Sequence, residues 1–332
     1  MFLLICIFLI LLRDVYLMID KQVQQILDEI RDEMIRLNHP PLDQTTPTQA
    51  RYYHKEARKF FSNSSFEDVN TRDTYAENNG HKIPIRIYTP EGDGPFPILV
   101  YFHGGGWVFS DIDGSDYVCN YIAKSSNCVV VSAGYRLAPE FKYPIPLEDA
   151  YTAFQWALDN KDMLNGSDKV AIGGESAGAN LAASVALKLR DQSISQIHCQ
   201  LLITPVIQHY FETDSYNEGL QYNLSKEKMK WFWDFYLEDS KQGKEPYASP
   251  ILGSSKDLPQ ALIYTAELDP LKDEGMLYAK HLETNNVIVQ YRCFNRLVHC
   301  FIHMAEKSKV AKEALDYICK DFHKAMYGEI KS

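Results

Sequence analysis

The chain has 332 residues, of which 45% are hydrophobic, and its formal net charge at pH 7 is −10. The sequence contains no repeats and no low-complexity segments. Together with its size and composition, this predicts one large α/β domain. The acidic balance and the lack of a basic run argue against nucleic acid as a partner. Seven scattered cysteines without a C-x-x-C pair indicate neither a zinc site nor a disulfide framework. No phosphate-loop or dinucleotide glycine pattern occurs, so no metal and no cofactor is expected.

The chain begins with a wholly apolar run at residues 1–12 (MFLLICIFLILL). The run is too short for a bilayer span, which takes roughly 20 residues, and it lacks the basic start and cleavage site of a signal peptide. Two interpretations stay open: residues 1–17 are an extension from an upstream start codon, which we favour, or the run is a weak membrane anchor. The first predicts a cytoplasmic protein with a single catalytic domain at residues 18–332. The second predicts membrane association through residues 1–12.

Two helices are predicted next, at residues 19–37 and 47–61. The first is amphipathic and ends at His39-Pro40-Pro41, because a residue before proline disfavours the helical region. An apolar helix face must be buried against another element. Its apolar positions are Ile19, Val23, Ile26, Leu27, Ile30, Met34 and Leu37.

A strand predicted at residues 98–102 (ILVYF) leads into a glycine run at residues 103–107 (HGGGW). Glycines let the backbone approach a negative oxygen without a Cβ in the way, and fixed N–H groups stabilise the oxyanion of acyl transfer. We therefore predict an oxyanion hole that contains the N–H groups of Gly105 and Gly106, with Gly104 shaping the turn. A glycine-rich surface loop is the alternative.

The second glycine motif is Gly-Glu-Ser-Ala-Gly at residues 174–178. Residues 168–173 before it predict a short buried strand, and residues 179–190 after it predict a helix with cations at its end. A strand, a sharp turn and a helix are the setting of a nucleophile elbow, so Ser176 is the candidate nucleophile. The N–H group of Ala177 is the third predicted oxyanion donor.

A strand at residues 199–205 is followed by an aromatic helix at residues 225–237, for which Ser225 is the predicted N-cap. Two interpretations stay open for the aromatic residues of this helix. They pack the helix onto the body of the protein, which we favour, or some of them line the substrate pocket together with Trp107. The candidate pocket residues are Trp107, Trp231, Phe232 and Phe235.

A serine nucleophile needs a base, and the base needs an acid that orients it. After a nucleophile elbow, the acid comes first along the chain and the base second. The strand predicted at residues 261–265 leads to four acids, among which Asp269 is favoured because Pro270 fixes the turn after the strand. Asp273 and Glu274 are expected to open the next helix, where carboxylates suit the helix dipole. The four acids are Glu267, Asp269, Asp273 and Glu274.

A strand predicted at residues 287–294 is followed by a loop that carries His299, the candidate base. His281 falls within a predicted helix and is expected at the surface. His303 follows His299 by one helical turn and is expected to serve packing, and His198 lies at or before the start of a strand. The histidines that follow the nucleophile are His198, His209, His281, His299 and His303.

Five blocks of the sequence occur in a characteristic order. They are residues 103–107 (HGGGW), 135–140 (YRLAPE), 174–178 (GESAG), 269–275 (DPLKDEG) and 299–301 (HCF). Together they resemble the blocks of the hormone-sensitive-lipase-like carboxylesterases, and the resemblance covers most of the chain.

The resemblance implies an α/β-hydrolase fold, in which a mostly parallel sheet is flanked by helices and carries a helical cap. The cap implied for this chain comes from about residues 18–60 and 206–245. The resemblance also implies a catalytic triad of Ser176, Asp269 and His299.

Three positions depart from the pattern of the family that the chain resembles. Glu175 stands where aspartate is usual, which lengthens the reach of the carboxylate. Gly134 stands where aspartate is frequent, and Cys300 replaces a usual glycine. If that glycine position needs a positive φ, Cys300 strains the loop that carries the base.

We therefore expect a cofactor-independent carboxylic ester hydrolase that acts on short- to medium-chain acyl esters through an acyl-enzyme on Ser176. An amide or formamide (deacetylase-type) hydrolase with the same triad is the alternative. A non-catalytic receptor for a small ligand is disfavoured because all three triad candidates are present. The expected partners are a small-molecule ester and a second copy of the chain in a homodimer.

Overall fold

The structure, a computed structural model, describes residues 19–194, 196–218 and 222–328, and these residues form a central sheet with helices on both faces. The strands are β1 (Val69–Asn78), β2 (His81–Pro90), β3 (Phe96–Phe102), β4 (Val129–Ala133), β5 (Gly166–Glu175), β6 (Cys199–Ile203), β7 (Ala261–Leu268) and β8 (Val289–Val298).

The strands lie in the order β1-β2-β4-β3-β5-β6-β7-β8. Strand β2 pairs antiparallel with β1 and β4, and the neighbours from β4 to β8 pair in parallel. The predicted fold, a mostly parallel sheet flanked by helices, is therefore confirmed. The helices are α1 (Lys21–Arg36), α2 (Pro47–Ala57), α3 (Asp116–Ser126), α4 (Ile145–Asp159), α5 (Ala177–Asp191), α6 (Asp214–Asn217), α7 (Lys226–Tyr236), α8 (Lys272–Thr284) and α9 (Lys309–Tyr327).

Strand β3 shows why the apolar runs of the sequence form buried strands. Val100 packs into the core on the face of α4 and α5, whereas its neighbours Leu99 and Tyr101 pack into the core on the face of α3 and α9. Successive side chains of a strand point to opposite faces, so a strand covered by helices on both sides is apolar throughout. The strand predicted at 199–205 ends earlier, at Ile203, because Thr204 has a left-handed φ of 41°.

Helix α1 buries the centre of its predicted apolar face. Val23 and Ile26 are at most 3% exposed and belong to the core shared with α3 and α9. Asp20 caps the helix by accepting hydrogen bonds from the N–H groups of Gln22 and Val23 at 3.0 and 3.2 Å. The Asp20 N–H donates to the carbonyl of Arg296 at 3.0 Å, which ties the start of α1 to the end of the sheet.

Helix α2 is fixed to the glycine run and its surroundings by one side chain. Arg51 donates to the carbonyl oxygens of Val108 and Ala138 at 2.8 and 2.9 Å, and it pairs with Glu140. The α-helix predicted at residues 47–61 ends at Ala57, and a short 3-10 turn follows it.

The insertion between β6 and β7 carries α7, whose bounds agree with the predicted aromatic helix. Ser225 is its N-cap, as predicted, and accepts from the N–H group of Lys228 at 3.2 Å. The Trp231 indole N–H donates to the carbonyl of Thr45 at 3.3 Å. This bond joins the insertion to the segment before α2.

The apolar run at residues 1–12 and the predicted extension 1–17 lie outside the described residues. Across residues 19–194, 196–218 and 222–328, no helix is both long and apolar enough to cross a membrane.

Candidate active site

Ser176 lies on a sharp turn between β5 and α5. Its backbone has φ 53° and ψ −120°, a combination that costs free energy for a residue with a Cβ and is typical of a nucleophile elbow. The Ser176 N–H donates to the carbonyl of Ile203 on β6 at 3.0 Å, which fixes the turn to the next strand. A Cβ on Gly178 would collide with the carbonyl oxygen of Phe102, so the turn needs glycine there. The predicted strand–turn–helix setting is present.

Three side chains from three strand ends form a hydrogen-bonded series. The Ser176 Oγ lies 3.0 Å from His299 Nε2, and His299 Nδ1 lies 2.8 Å from Asp269 Oδ2. All three residues are buried, with Asp269 at 0% exposure. The structure therefore brings together the three residues predicted for the triad, at distances that permit proton transfer from hydroxyl to imidazole.

The charge of Asp269 changes the proton affinity of His299. Burial favours the neutral imidazole, but the adjacent Asp269 carboxylate outweighs burial and holds the pKa of His299 well above its usual value. The N–H group of Leu271 donates to the other oxygen, Asp269 Oδ1, at 2.9 Å. The carboxylate is thus held from both sides, which fixes the orientation of the imidazole.

The competing acids hold other segments. Glu267 accepts from the Arg296 N–H at 2.7 Å, and Asp273 accepts from the Ser215 N–H at 2.8 Å. Asp273 and Glu274 stand in the first turn of α8, as predicted.

Glu274 is fully buried and anchors the insertion that follows β6. It accepts from the N–H groups of Ile207 and Gln208 and from the Tyr216 hydroxyl. Burial raises the pKa of Glu274 to about 8, although these donors oppose the shift.

The glycine run follows β3 and faces the elbow. Gly105 and Gly106 have φ values of 109° and 58°, which glycine adopts without strain. A Cβ on Gly105 would collide with the carbonyl of Phe109, and a Cβ on Gly106 would collide with the Phe232 ring. Among the described residues, the N–H groups of Gly105, Gly106 and Ala177 donate to no backbone carbonyl. These donors remain free to bind a negative oxygen.

The aromatic residues predicted for the pocket make three different kinds of contact. Trp107 is fully buried and stacks on Tyr236 with ring centroids 4.1 Å apart, which is a packing contact. Phe232 lies against Gly106 and meets Phe109 edge to face at 5.2 Å. Trp231 and Phe235 pack against each other on the same helix, with centroids 4.7 Å apart.

The sequence reasoning missed contacts of two histidines. His303 Nε2 lies 2.6 Å from Glu175 Oε1 and forms a hydrogen bond to this carboxylate rather than a simple packing contact. His281 is partly exposed, and its Nε2 lies 2.9 Å from the carbonyl of Gly253, a contact that the expected place at the surface did not include. The departure at position 175, where the longer glutamate replaces the usual aspartate, was a usable signal for the first of these contacts. His198 precedes β6, as predicted.

Two further features surround the loop of the base. Cys300 has a φ of 58°, so the position that usually holds glycine is left-handed and the condition for backbone strain is met. The Asn223 amide donates to the carbonyl of His299 at 2.7 Å, which connects the insertion to this loop. In the described part of the chain, no cluster of three or more histidine, cysteine or acidic residues is arranged to hold a metal ion.

Comparison with known proteins agrees with this geometry. Residues 99–303 match the model of a family described by its α/β hydrolase fold. The carboxylic ester hydrolase LipN of Mycobacterium tuberculosis is 39% identical over 67% of this chain, and the chain spans 62% of that protein. The ethyl acetate hydrolase of Pseudomonas putida is 33% identical over 71% of this chain and 77% of its own length.

A solved structure extends the likeness over almost the whole fold. The hyperthermophilic esterase from the archaeon Pyrobaculum calidifontis superposes with a TM-score of 0.85 at 32% identity, over 93% of this chain and 99% of that one. The family model and these similarities agree on one assignment. The chain belongs to the α/β hydrolase fold family and, within it, to the hormone-sensitive-lipase-like carboxylesterases.

Proposed function

We propose that Ser176, His299 and Asp269 are the catalytic triad of this carboxylesterase. The observation that carries the proposal is the continuous series from the serine hydroxyl through the imidazole to the carboxylate, with distances of 3.0 and 2.8 Å. A series of this geometry recurs on unrelated folds that cleave esters and amides through an acyl-enzyme.

In the proposed reaction, Ser176 Oγ attacks the ester carbonyl while His299 Nε2 takes the hydroxyl proton. Asp269 holds the imidazole in the required tautomer and stabilises its positive charge. The N–H groups of Gly105, Gly106 and Ala177 bind the oxygen that becomes negative. His299 then donates the proton to the leaving alcohol, and water activated by the same imidazole releases the acid.

We propose short- to medium-chain acyl esters as substrates. Two relatives carry names of this class: the ethyl acetate hydrolase of Pseudomonas putida and an acetyl esterase of Salmonella dublin. The Phe232 ring supports the same size class, because it lies against Gly106 beside the proposed oxyanion hole and limits the space there. Among the described residues, no contact favours the amide or formamide alternative.

The proposed cap consists of residues 18–60 and 206–245, of which the structure describes all but residues 18 and 219–221. The Trp231–Thr45 hydrogen bond between its two parts and the Asn223–His299 bond to the base loop support this assignment. Such a cap excludes water from the reacting bond. The cytoplasmic location, the weak membrane contact and the homodimer stay predictions.

A phosphonate ester that mimics the acyl-transfer intermediate tests the proposed nucleophile. We expect covalent addition to the peptide that contains Ser176, measured by mass spectrometry, together with loss of ester hydrolysis. In the matched control, the protein is saturated with substrate before the phosphonate is added. Labelling should then be slower, because substrate occupies the site. Stoichiometric labelling at a different serine, with activity lost in parallel, would contradict the assignment.

Phe232→Ala is expected to shift chain-length preference. Removing the ring beside Gly106 opens space at the proposed acyl site, so kcat/KM should rise for octanoyl relative to acetyl esters by about 10-fold, the effect of a few methylene contacts. The measurement is a series of p-nitrophenyl esters from C2 to C8. Tyr52→Ala removes an exposed aromatic ring of α2 and serves as the control with unchanged preference. An unchanged ratio in Phe232→Ala would place the acyl chain elsewhere.

A further inference from the structure

The nucleophile strand ends in a buried acid that the reaction described above does not use. Glu175 is 2% exposed and directly precedes Ser176. Its two carboxylate oxygens lie 2.6 and 2.7 Å from a single atom, His303 Nε2. Because an ionised carboxylate only accepts hydrogen bonds, the proton of this bond belongs to His303.

The same carboxylate connects three segments of the site. Besides His303, it lies 3.4 Å from the N–H group of Gly104 at the start of the glycine run and 3.5 Å from the Ser115 hydroxyl. The carbonyl of His303 accepts from the N–H group of Ser62 at 2.8 Å, so the helical turn after the base is held on its outer side as well. Glu175 therefore joins the nucleophile strand to the oxyanion loop and to the loop of His299.

The charge of Glu175 is preserved despite its burial. Burial favours the neutral acid, but His303 and the Gly104 N–H outweigh it and hold the pKa of Glu175 below its usual value. Burial holds the pKa values of Tyr101 and Cys119 well above their usual ranges, so these neighbours stay neutral. Asp269 in turn faces His299, and His54 of α2 faces His303. The titratable groups that face Glu175 itself are Tyr101 of β3, His103, Cys119 of α3, Tyr135, His299, Cys300 and His303.

We propose that Glu175 and His303 form a positioning pair that holds the oxyanion loop and the base loop in register with Ser176. This proposal rests on the proposed function of Ser176 and His299. Neither residue of the pair touches the substrate in this scheme. Both act through Gly104 and His299, whose placement decides how well the transition state is bound.

The length of the side chain explains why this position holds glutamate. Aspartate is shorter by one carbon–carbon bond, about 1.5 Å. A carboxylate withdrawn by that distance along the side chain would leave His303 beyond hydrogen-bond range. The chain thus combines a longer acid at position 175 with a histidine at position 303, two residues that are 128 positions apart.

Three variants separate reach, charge and donor. Glu175→Asp keeps the charge and loses the reach, Glu175→Gln keeps the size and loses the charge, and His303→Leu loses the donor. For each we expect kcat on p-nitrophenyl acetate to fall about 10- to 100-fold, the effect of displacing reacting groups by up to 1 Å, with KM changed by less than about 3-fold. His303→Gln keeps an N–H donor and should retain most of the activity. His281→Gln is the control, at a histidine of α8 whose ring contacts the carbonyl of Gly253 and the ring of Tyr278.

The pH profile is a readout that a purely structural role of Glu175 would leave unchanged. Loss of the Glu175 charge removes an anion that favours the imidazolium of His299, so the acid limb of kcat should move to lower pH in Glu175→Gln and stay in place in Glu175→Asp. In the double variant Glu175→Gln with His303→Leu, the loss of kcat should be smaller than the product of the two single losses, because one interaction is removed twice.

The outcomes distinguish this proposal from the proposed function. If the phosphonate does not label Ser176 in the unaltered protein, the proposed function fails. If labelling of Ser176 is normal there and kcat in His303→Leu and Glu175→Gln equals that of the unaltered protein, only the positioning pair is overturned. A purely structural role would lower the melting temperature and leave kcat, KM and the acid limb of the folded fraction unchanged. Should the Glu175 variants aggregate, the comparison of His303→Leu with His303→Gln decides the question.

Discussion

Replacing Ser176 with alanine is expected to lower the turnover of p-nitrophenyl acetate by about 10⁴- to 10⁶-fold, the range found when a triad member is removed. The reason is that Ser176 Oγ is the atom 3.0 Å from His299 Nε2 on the strained turn, and alanine offers no nucleophile there. The substitution removes one oxygen and leaves the backbone in place. We therefore expect the melting temperature to change little.

The matched control is Ser184→Ala. Ser184 lies on α5, is fully buried, and its hydroxyl has no hydrogen-bond partner among the described residues. Loss of the Ser184 hydroxyl should leave turnover within about 2-fold of the unaltered protein, because removing one buried oxygen atom changes local packing and not the reacting atoms. A folded Ser176→Ala protein that keeps a tenth of the turnover would rule out Ser176 as the nucleophile.

Asp269→Asn is expected to reduce kcat by about 10⁴-fold. Asparagine has the same shape, but its amide presents a donor where His299 Nδ1–H needs an acceptor at 2.8 Å, so the imidazole adopts the wrong tautomer. Asp273→Asn and Glu267→Gln are the controls. Their carboxylates hold Ser215 and Arg296 respectively, and we expect losses far below 100-fold. A larger loss in either control than in Asp269→Asn would reassign the acid.

The pH dependence checks the same pair by a second route. His299 acts as a base only when it is neutral, so activity should rise with pH through its pKa, which Asp269 holds above the usual value. Removing the negative charge in Asp269→Asn favours the neutral imidazole and should move the acid limb of the residual activity to lower pH. A flat profile of the unaltered protein between about pH 5 and 8 is incompatible with a histidine base.

Local sequence determined the chemistry of this protein to a large extent. Apolar runs before residues 103–107 and 174–178 predict buried strands, and glycines after them predict turns, because both signals depend on a few neighbouring residues. The nucleophile, the acid and the base were identified from their places after such strands. The structure brings these three side chains together as predicted, and their roles stay proposals.

Elements with weaker local signals were not predicted. Strand β1 has a polar outer surface and lies at the edge of the sheet, paired with β2 alone, so it lacks the apolar run of a central strand. The positive φ of Cys300 is a backbone conformation that the sequence alone did not predict. From the sequence, strain at Cys300 was expected only if the position needs a positive φ. The backbone of the folded loop shows that it has one.

Contacts between distant segments were decided by the tertiary structure alone. Glu175 meets His303 because β5 and β8 end at the same edge of the sheet and the turn after His299 folds back over that edge. Glu274 was expected only to open a helix, yet it is buried and holds the insertion through Ile207 and Gln208. The periodicity of hydrophobic residues along the sequence does not indicate which strand ends become neighbours. The order of the strands sets these distances, and that order follows from burying both faces of the whole sheet at once.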